Sequence, residues 1–139
     1  MAAWLFKSEP NAWSWDQQVA RGAAGEPWSG VRNFQACANM KAMRVGERGF
    51  FYHSVYEKRI VGVVEVIDGY RLDPTDPTGR FGLVTIKALK SLPHPVTLAQ
   101  IKADPRLEHL PLVRQSRLSV CPIDQESWQI LCGMGGLEG

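Results

Sequence analysis

The 139-residue chain lacks the features that mark exported, membrane-spanning or metal-binding proteins. Its first residues do not show a cationic start, a long apolar stretch and a small-residue cleavage site in that order, and its apolar runs are far too short to span a bilayer. Its three cysteines are an odd number without CxxC spacing, which is typical of reduced thiols in a reducing compartment. We therefore expect a soluble, cytoplasmic protein that binds no metal and needs no cofactor.

An excess of charge of one sign is also missing, because 16 basic and 14 acidic residues leave a net charge of +2. Proteins that bind long stretches of nucleic-acid backbone usually present a denser basic surface. The composition by itself therefore does not indicate a nucleic-acid partner, although it permits a local contact. With 45% hydrophobic residues the chain can bury a core of ordinary size, and we expect residues 1–139 to form a single domain.

The predicted helices and strands indicate a mixed α+β fold. Helices are expected where a capping residue precedes a helix-forming run, at Ser14, Asn33, Thr97 and Asp124. Strands are expected where aromatic and β-branched residues cluster, at 4–6, 50–54, 60–67, 82–89 and 118–121. Because no regular βαβ alternation is present, the pattern favours a small curved sheet or barrel with short helices around it. The last helix is expected to end at Gly133, before a loose glycine-rich tail.

The sequence shows no arrangement that is typical of a nucleophilic enzyme. His53 and Ser54 are adjacent on a predicted strand, so their side chains point to opposite faces, and no G-x-S-x-G turn presents a serine. Asp73 and Asp76 lie in a proline-rich turn, where bonds from short side chains to the backbone explain them. We therefore expect no catalytic residues and a chain that is not an enzyme.

One stretch, WSGVRNFQA at 28–36, combines residue types that folding alone seldom needs together. Trp28, Arg32, Asn33 and Phe34 surround a single glycine at the start of a predicted helix. A nucleic-acid base has two π-faces and a hydrogen-bonding edge, so its pocket needs an aromatic wall, an amide and a basic group for phosphate. Each residue taken alone has a structural interpretation as core, helix cap or surface charge. Taken together, they favour a binding site.

Five segments of the chain resemble the EVE domain family. They are WLFKSEP at 4–10, WSGVRNFQA at 28–36, VGERGFFYHS at 45–54, IVGVVEV at 60–66 and LVRQSRLSVCPI at 112–123. The resemblance implies a PUA-like fold, a twisted β-barrel flanked by short helices. It also implies a non-enzymatic pocket for a modified base in DNA or RNA, such as methylated or hydroxymethylated cytosine.

The resemblance also assigns residues to this pocket. The base-binding set would be Ser8, Trp28, Asn33, Phe34, Tyr52, His53 and Ser54. The rim or the phosphate contacts would come from Lys7, Arg32 and Arg117. Any action that follows recognition would need a separate effector protein, such as a nuclease.

The chain departs from the family pattern in the length of one segment and in three residues. The segment from Asp68 to Phe81 is shorter than the family leads us to expect, and Phe81 and Thr85 stand where a tryptophan and an aspartate are expected. Phe34 stands where a tyrosine is common, which removes one hydroxyl group. If the short segment helps to shape the pocket, ligand preference could differ from that of the family.

Two other functions stay open at this stage. The same pocket could belong to a small-molecule or nucleotide sensor, because the backbone N–H groups at a helix N-terminus favour an anionic ligand. An enzyme that acts on a modified nucleotide could use His53 as its general base. The sequence shows no positioned nucleophile or orienting carboxylate for such an enzyme, so a binding module is favoured.

Overall fold

The computed structural model describes residues 2–137, which form six strands and five α-helices. The strands are β1 (Ala3–Ser8), β2 (Glu26–Pro27), β3 (Arg48–His53), β4 (Arg59–Leu72), β5 (Gly82–Thr97) and β6 (Val120–Ile123). The helices are α1 (Trp15–Ala20), α2 (Phe34–Ala42), α3 (Leu98–Ala103), α4 (Pro111–Arg114) and α5 (Gln125–Met134). Two short 3-10 helices lie at Gly22–Ala24 and Pro105–Leu107. No helix in this described part is long and apolar enough to cross a membrane.

All six strands belong to one mixed sheet with the order β2-β5-β4-β3-β1-β6. β1 runs parallel to β3, and the other neighbouring pairs are antiparallel. This arrangement confirms the α+β, PUA-like architecture. Fully buried side chains of the central strands, Leu5, Phe6, Phe50 and Phe51, form the middle of the core.

The barrel is not a closed one, because the sheet of residues 2–137 stays open between its edge strands β2 and β6. β2 has only two residues, and Pro27 has no backbone N–H to donate to a further strand. Helix α2 lies against both β5 and β6 on this side. The side-chain amide of Asn39 donates to the carbonyl oxygen of Val120 at 2.8 Å, so a helix side chain binds edge strand β6.

Strands β4 and β5 are longer than the predicted 60–67 and 82–89, because irregular pairing lets the hairpin continue past residues that disfavour strands. Gly62 pairs with Ser91, whereas Ile60 pairs with Val96. The four residues between Ser91 and Val96, which include two prolines, therefore bulge out opposite a single residue.

The capping signals predicted the helix starts well. Ser14 and Thr97 each form a complete capping box, and Asp124 accepts a hydrogen bond from the backbone of Ser127. The predicted end of the last helix is wrong, because α5 continues through Gly133 to Met134. The tail is also held in place as far as it is described, since the carbonyl oxygen of Gly135 accepts a bond from the backbone of His94 at 3.0 Å. Residues 138–139 of the predicted tail lie outside the described residues.

Candidate functional site

A cavity of about 440 Å³, called the β1 cavity below, opens where the end of β1 meets the segment that joins β2 to α2. Its volume lies in the range of sites that bind small organic ligands. The cavity lies beside the open side of the sheet. It is lined by Lys7, Ser8, Glu9, Ala12, Trp13, Glu26, Pro27, Trp28, Ser29, Gly30, Val31, Arg32 and Ser119.

Trp28 forms a rigid wall of the β1 cavity. Its backbone N–H donates to the carbonyl oxygen of Val84 at 2.8 Å, and its ring meets Phe6 and Phe51 edge-on, with centroids 5.4 and 5.7 Å away. Only 7% of the residue is exposed, so it also belongs to the core. Its indole N–H has no hydrogen-bond partner among residues 2–137, where every buried side-chain nitrogen or oxygen has one. The indole N–H is therefore accessible and available as a donor in the cavity.

The loop after Trp28 is fixed by a buried carboxylate from the β4–β5 connection. Asp73 accepts a hydrogen bond from the backbone N–H of Gly30 at 2.8 Å and one from the guanidinium of Arg32 at 3.3 Å. Its other oxygen accepts bonds from the backbone and hydroxyl of Thr75. Gly30 has a φ of +84°, a conformation that favours glycine. The connection between β4 and β5, which contains Asp73, thus shapes the cavity loop.

The environment keeps Asp73 ionised. Burial alone would raise the pKa of this carboxyl group, but hydrogen bonds from Thr75, Gly30 and Arg32 outweigh burial and hold the pKa below its usual range. An anionic Asp73 neutralises Arg32, whose side chain remains 40% exposed at the mouth of the cavity. Arg32 can therefore contact a ligand without leaving its partner.

Three further charged side chains define the polarity of the β1 cavity. The ammonium group of Lys7 donates to the carbonyl oxygen of Ser116 at 3.0 Å, and burial lowers the pKa of this lysine. The carboxylate of Glu26 pairs with Arg21 at 3.2 Å. The exposed carboxylate of Glu9 has no partner within the described range 2–137. The cavity therefore offers a free acceptor, Glu9, as well as donors.

The structure brings four of the ten predicted site residues to the β1 cavity, namely Lys7, Ser8, Trp28 and Arg32. Asn33 and Arg117 line a second cavity of about 310 Å³, called the polar groove. Asn33 caps α2, since its side-chain oxygen accepts the backbone N–H of Ala36 at 2.9 Å. Contact of these residues with a ligand stays a prediction.

The remaining predicted residues lie outside both cavities. Tyr52 is buried, and burial raises the pKa of its hydroxyl to about 12. His53 accepts the backbone N–H of Trp15 at 3.0 Å with Nε2, which leaves Nδ1 to donate to Glu57 at 3.0 Å. The backbone N–H of Ser54 donates to the carbonyl oxygen of Ser8. These contacts position α1 and the end of β1 behind the cavity.

Phe34, which was predicted to belong to the pocket, lies at the protein surface. It is 65% exposed and its ring lies on Phe81, with centroids 4.8 Å apart. It does not line the β1 cavity.

Sequence reasoning missed a second tryptophan of the cavity. Trp13 lines it, and its indole N–H donates to Gln18 at 2.9 Å. The hydroxyl of Ser8 donates to the carbonyl oxygen of Trp13, which ties this wall to β1. The sequence predicts only a turn role for Asp73, because its partners Gly30 and Arg32 are more than forty positions away. Neither role leaves a local signal in the sequence.

The chain is similar in sequence and in fold to several known proteins. The family model for the EVE domain matches residues 2–134. A solved protein structure from Rhodopseudomonas palustris is 57% identical, covers 98% of this chain and 94% of its own, and has a TM-score of 0.92. Another from Agrobacterium tumefaciens is 46% identical, with coverages of 99% and 94% and a TM-score of 0.95. The human THYN1 protein, solved in complex with DNA that contains 5-methylcytosine, is 26% identical over all of both chains, with a TM-score of 0.91.

Proposed function

Because this chain belongs to the EVE domain family, we propose that it is a non-enzymatic module that binds one modified base of DNA or RNA in the β1 cavity. The observation that carries the proposal is one cavity with an unused indole donor at Trp28 and an unpaired carboxylate at Glu9. The human relative that was solved with 5-methylcytosine DNA supports a methylated or hydroxymethylated cytosine as the base.

The cavity residues fit the chemistry of a cytosine. Its exocyclic amino group donates, and carboxylates are the acceptors that proteins use for it, which suits Glu9. Its carbonyl oxygen and ring nitrogen accept, which suits the indole N–H of Trp28 and the ammonium of Lys7. Stacking of a base on one aromatic side chain contributes about 1–3 kcal/mol to the binding free energy, so the affinity for a single base should be modest.

The apolar part of the lining provides a reason to prefer a methylated base. Ala12, Pro27 and Val31 present aliphatic surface in the same cavity. Burial of one methyl group contributes about 0.8 kcal/mol, which corresponds to a preference of about fourfold over unmodified cytosine.

The side chains of the cavity favour binding over catalysis. Ser8 donates its hydroxyl proton to the carbonyl oxygen of Trp13, so no base is placed to activate it. Both ring nitrogens of His53 are engaged by Trp15 and Glu57, and this histidine does not line the cavity. We propose that a separate effector protein acts on the recognised nucleic acid.

A titration against matched oligonucleotides tests the proposal. Single- and double-stranded DNA and RNA carry cytosine, 5-methylcytosine or 5-hydroxymethylcytosine at one position. Glu9→Gln removes the carboxylate charge and keeps the shape of the side chain, and Trp28→Phe removes the indole donor and keeps a smaller aromatic ring. Glu126→Gln on α5, which does not line the cavity, is the matched control. Preference for a modified base that weakens in both cavity variants, and not in the control, supports the proposal.

Salt dependence separates a nucleic-acid reader from a small-molecule sensor. If Lys7, Arg32 and Arg117 each contact a phosphate, the slope of log K against log salt should be about −2.1 to −2.7, so that affinity falls about 20- to 40-fold between 50 and 200 mM salt. Binding of a free nucleoside should barely change with salt. Tight binding of a free nucleotide, without any salt-sensitive binding or base preference in oligonucleotides, would contradict the reader and favour the sensor.

A further inference from the structure

An aromatic ring with one free face lies outside the β1 cavity. Phe34 is the first residue of α2, and one side of its ring rests on Phe81 at a centroid distance of 4.8 Å and an interplanar angle of 31°. Phe81 is only 7% exposed, whereas Phe34 is 65% exposed. The packing against Phe81 holds the Phe34 ring in position, so its outer side is a preformed stacking surface.

Cations lie along the same face of α2. The guanidinium carbon of Arg32 is 5.8 Å from the centre of the Phe81 ring, and the ammonium of Lys41 is 5.3 Å from the centre of the Tyr70 ring. Phe34 and Lys41 are seven positions apart, which places them on one side of the helix. Arg32, Phe81, Phe34, Tyr70 and Lys41 therefore form a row, called the aromatic strip below. Alternation of cations and aromatic rings is typical of surfaces that bind single-stranded nucleic acid.

The aromatic strip begins at the rim of the β1 cavity, because Arg32 belongs to both. Phe34 follows Arg32 by two positions, so their Cα atoms are at most about 7 Å apart. Neighbouring bases are separated by 3.4 Å per step in a stacked strand and by more when one base is turned out. The distance from the cavity rim to Phe34 therefore corresponds to one nucleotide.

We infer that Phe34 stacks on the base next to the one held in the β1 cavity, with Arg32 and Lys41 facing the phosphates of the same strand. This inference rests on the proposed function. Phe34 then contacts the neighbouring base and does not form a wall of the β1 cavity. The occupant is a nucleic-acid base because the free ring face lies between the cations Arg32 and Lys41, a combination that suits a base together with its phosphates.

Three variants and two kinds of ligand test this inference. Phe34→Ala removes the ring, Phe34→Leu keeps apolar cover over Phe81 without a π-face, and Tyr56→Ala removes an aromatic ring that is 75% exposed on the β3–β4 turn. The ligands are 5-methyl-2′-deoxycytidine monophosphate and an oligonucleotide with one 5-methylcytosine. A second oligonucleotide replaces the base on either side of the 5-methylcytosine with an abasic site.

Loss of one stacked base should weaken oligonucleotide binding by about 5- to 150-fold in Phe34→Ala, with a similar loss in Phe34→Leu. Binding of the mononucleotide should be unchanged, and Tyr56→Ala should bind both ligands as the wild type does. The abasic oligonucleotide should bind the wild type as weakly as Phe34→Ala binds the complete one, and the variant should then cause no further loss.

Three results would overturn the inference. Equal oligonucleotide binding by Phe34→Ala and the wild type would show that the ring only covers Phe81. An equal loss for the mononucleotide would make Phe34 a wall of the cavity, and full rescue by Phe34→Leu would indicate apolar docking without base stacking. In each of these cases the wild type still binds the modified base, so the proposed function stands. Failure of the wild type to bind either ligand would overturn the proposed function, and this inference with it.

Discussion

Replacement of Asp73 by alanine should loosen the loop of the β1 cavity and lower the free energy of unfolding. The Asp73 carboxylate is fully buried and accepts bonds from Gly30, Arg32 and Thr75. A hydrogen bond to a charged group contributes about 1.5–3 kcal/mol, but such values do not add within one network. Because the three donor residues are exposed and can bind water instead, we expect a total loss of about 2–3 kcal/mol.

Thermal and urea unfolding measure this loss. For a chain of this length, 2–3 kcal/mol should lower Tm by about 7–10 °C. Asp68→Ala is the matched control, because the Asp68 side chain is 67% exposed and pairs with Arg71 at the surface. This control should change the free energy of unfolding by less than about 0.5 kcal/mol.

The pH dependence gives a second readout of the same contact. The pKa of Asp73 is lower in the folded protein than in the unfolded chain, so its stabilisation is complete above the unfolded pKa of about 3.9 and is lost as the pH falls through the folded value. The difference between the wild type and Asp73→Ala should therefore shrink below about pH 4. Equal unfolding midpoints for Asp73→Ala and Asp68→Ala, or a difference that does not change with pH, would refute the reasoning.

Three further predictions each concern one residue, His53, Gly30 or Cys121. His53→Ala should lower the free energy of unfolding by about 1–3 kcal/mol in urea unfolding, because the backbone N–H of Trp15 loses its acceptor, and stability equal to the wild type would contradict this role. Gly30→Ala should lower the free energy of unfolding by about 1 kcal/mol, because φ is +84° at this position. Gly69→Ala, with open space and no positive φ, should leave the free energy of unfolding unchanged or raise it. Destabilisation by both variants, or by neither, would contradict this reasoning. The thiol of Cys121, whose pKa burial raises to about 11, should react with a disulfide reagent at pH 8 only after denaturant is added, and rapid labelling of the native protein would exclude the buried position.

The parts of the fold that depend on neighbouring residues could be predicted from the sequence. The capping boxes at Ser14 and Thr97 satisfy backbone groups three positions away, so their signals are local. The open sheet, the short strand β2 and the long bulged hairpin depend on contacts between distant segments. Pro93 and Pro95 disfavour a regular strand, yet they fit the bulge that pairing with β4 creates. A single sequence contains no direct record of such pairing.

The candidate site was predictable to a similar extent. The residue types around Trp28 indicated a base-sized pocket, and Trp28 and Arg32 do line a cavity. Phe34 is close to Trp28 and Arg32 in the sequence but not in the cavity. Helix α2 begins at Phe34, and the Phe34 ring packs on Phe81 instead of lining the cavity. Trp13 enters the cavity from another segment. Periodicity and spacing describe one element at a time, so they could not show which elements meet.

The most direct test of base binding in the β1 cavity is an NMR titration of the tryptophan indole N–H signals with 5-methyl-2′-deoxycytidine monophosphate. The account predicts that the signals of Trp28 and Trp13 shift and saturate together, because both side chains line the cavity. The signals of Trp4, whose indole is bound to Glu47, and of Trp128 on α5 should stay in place. Saturable binding that leaves Trp28 unshifted, or that moves Trp128 instead, would contradict the central claim.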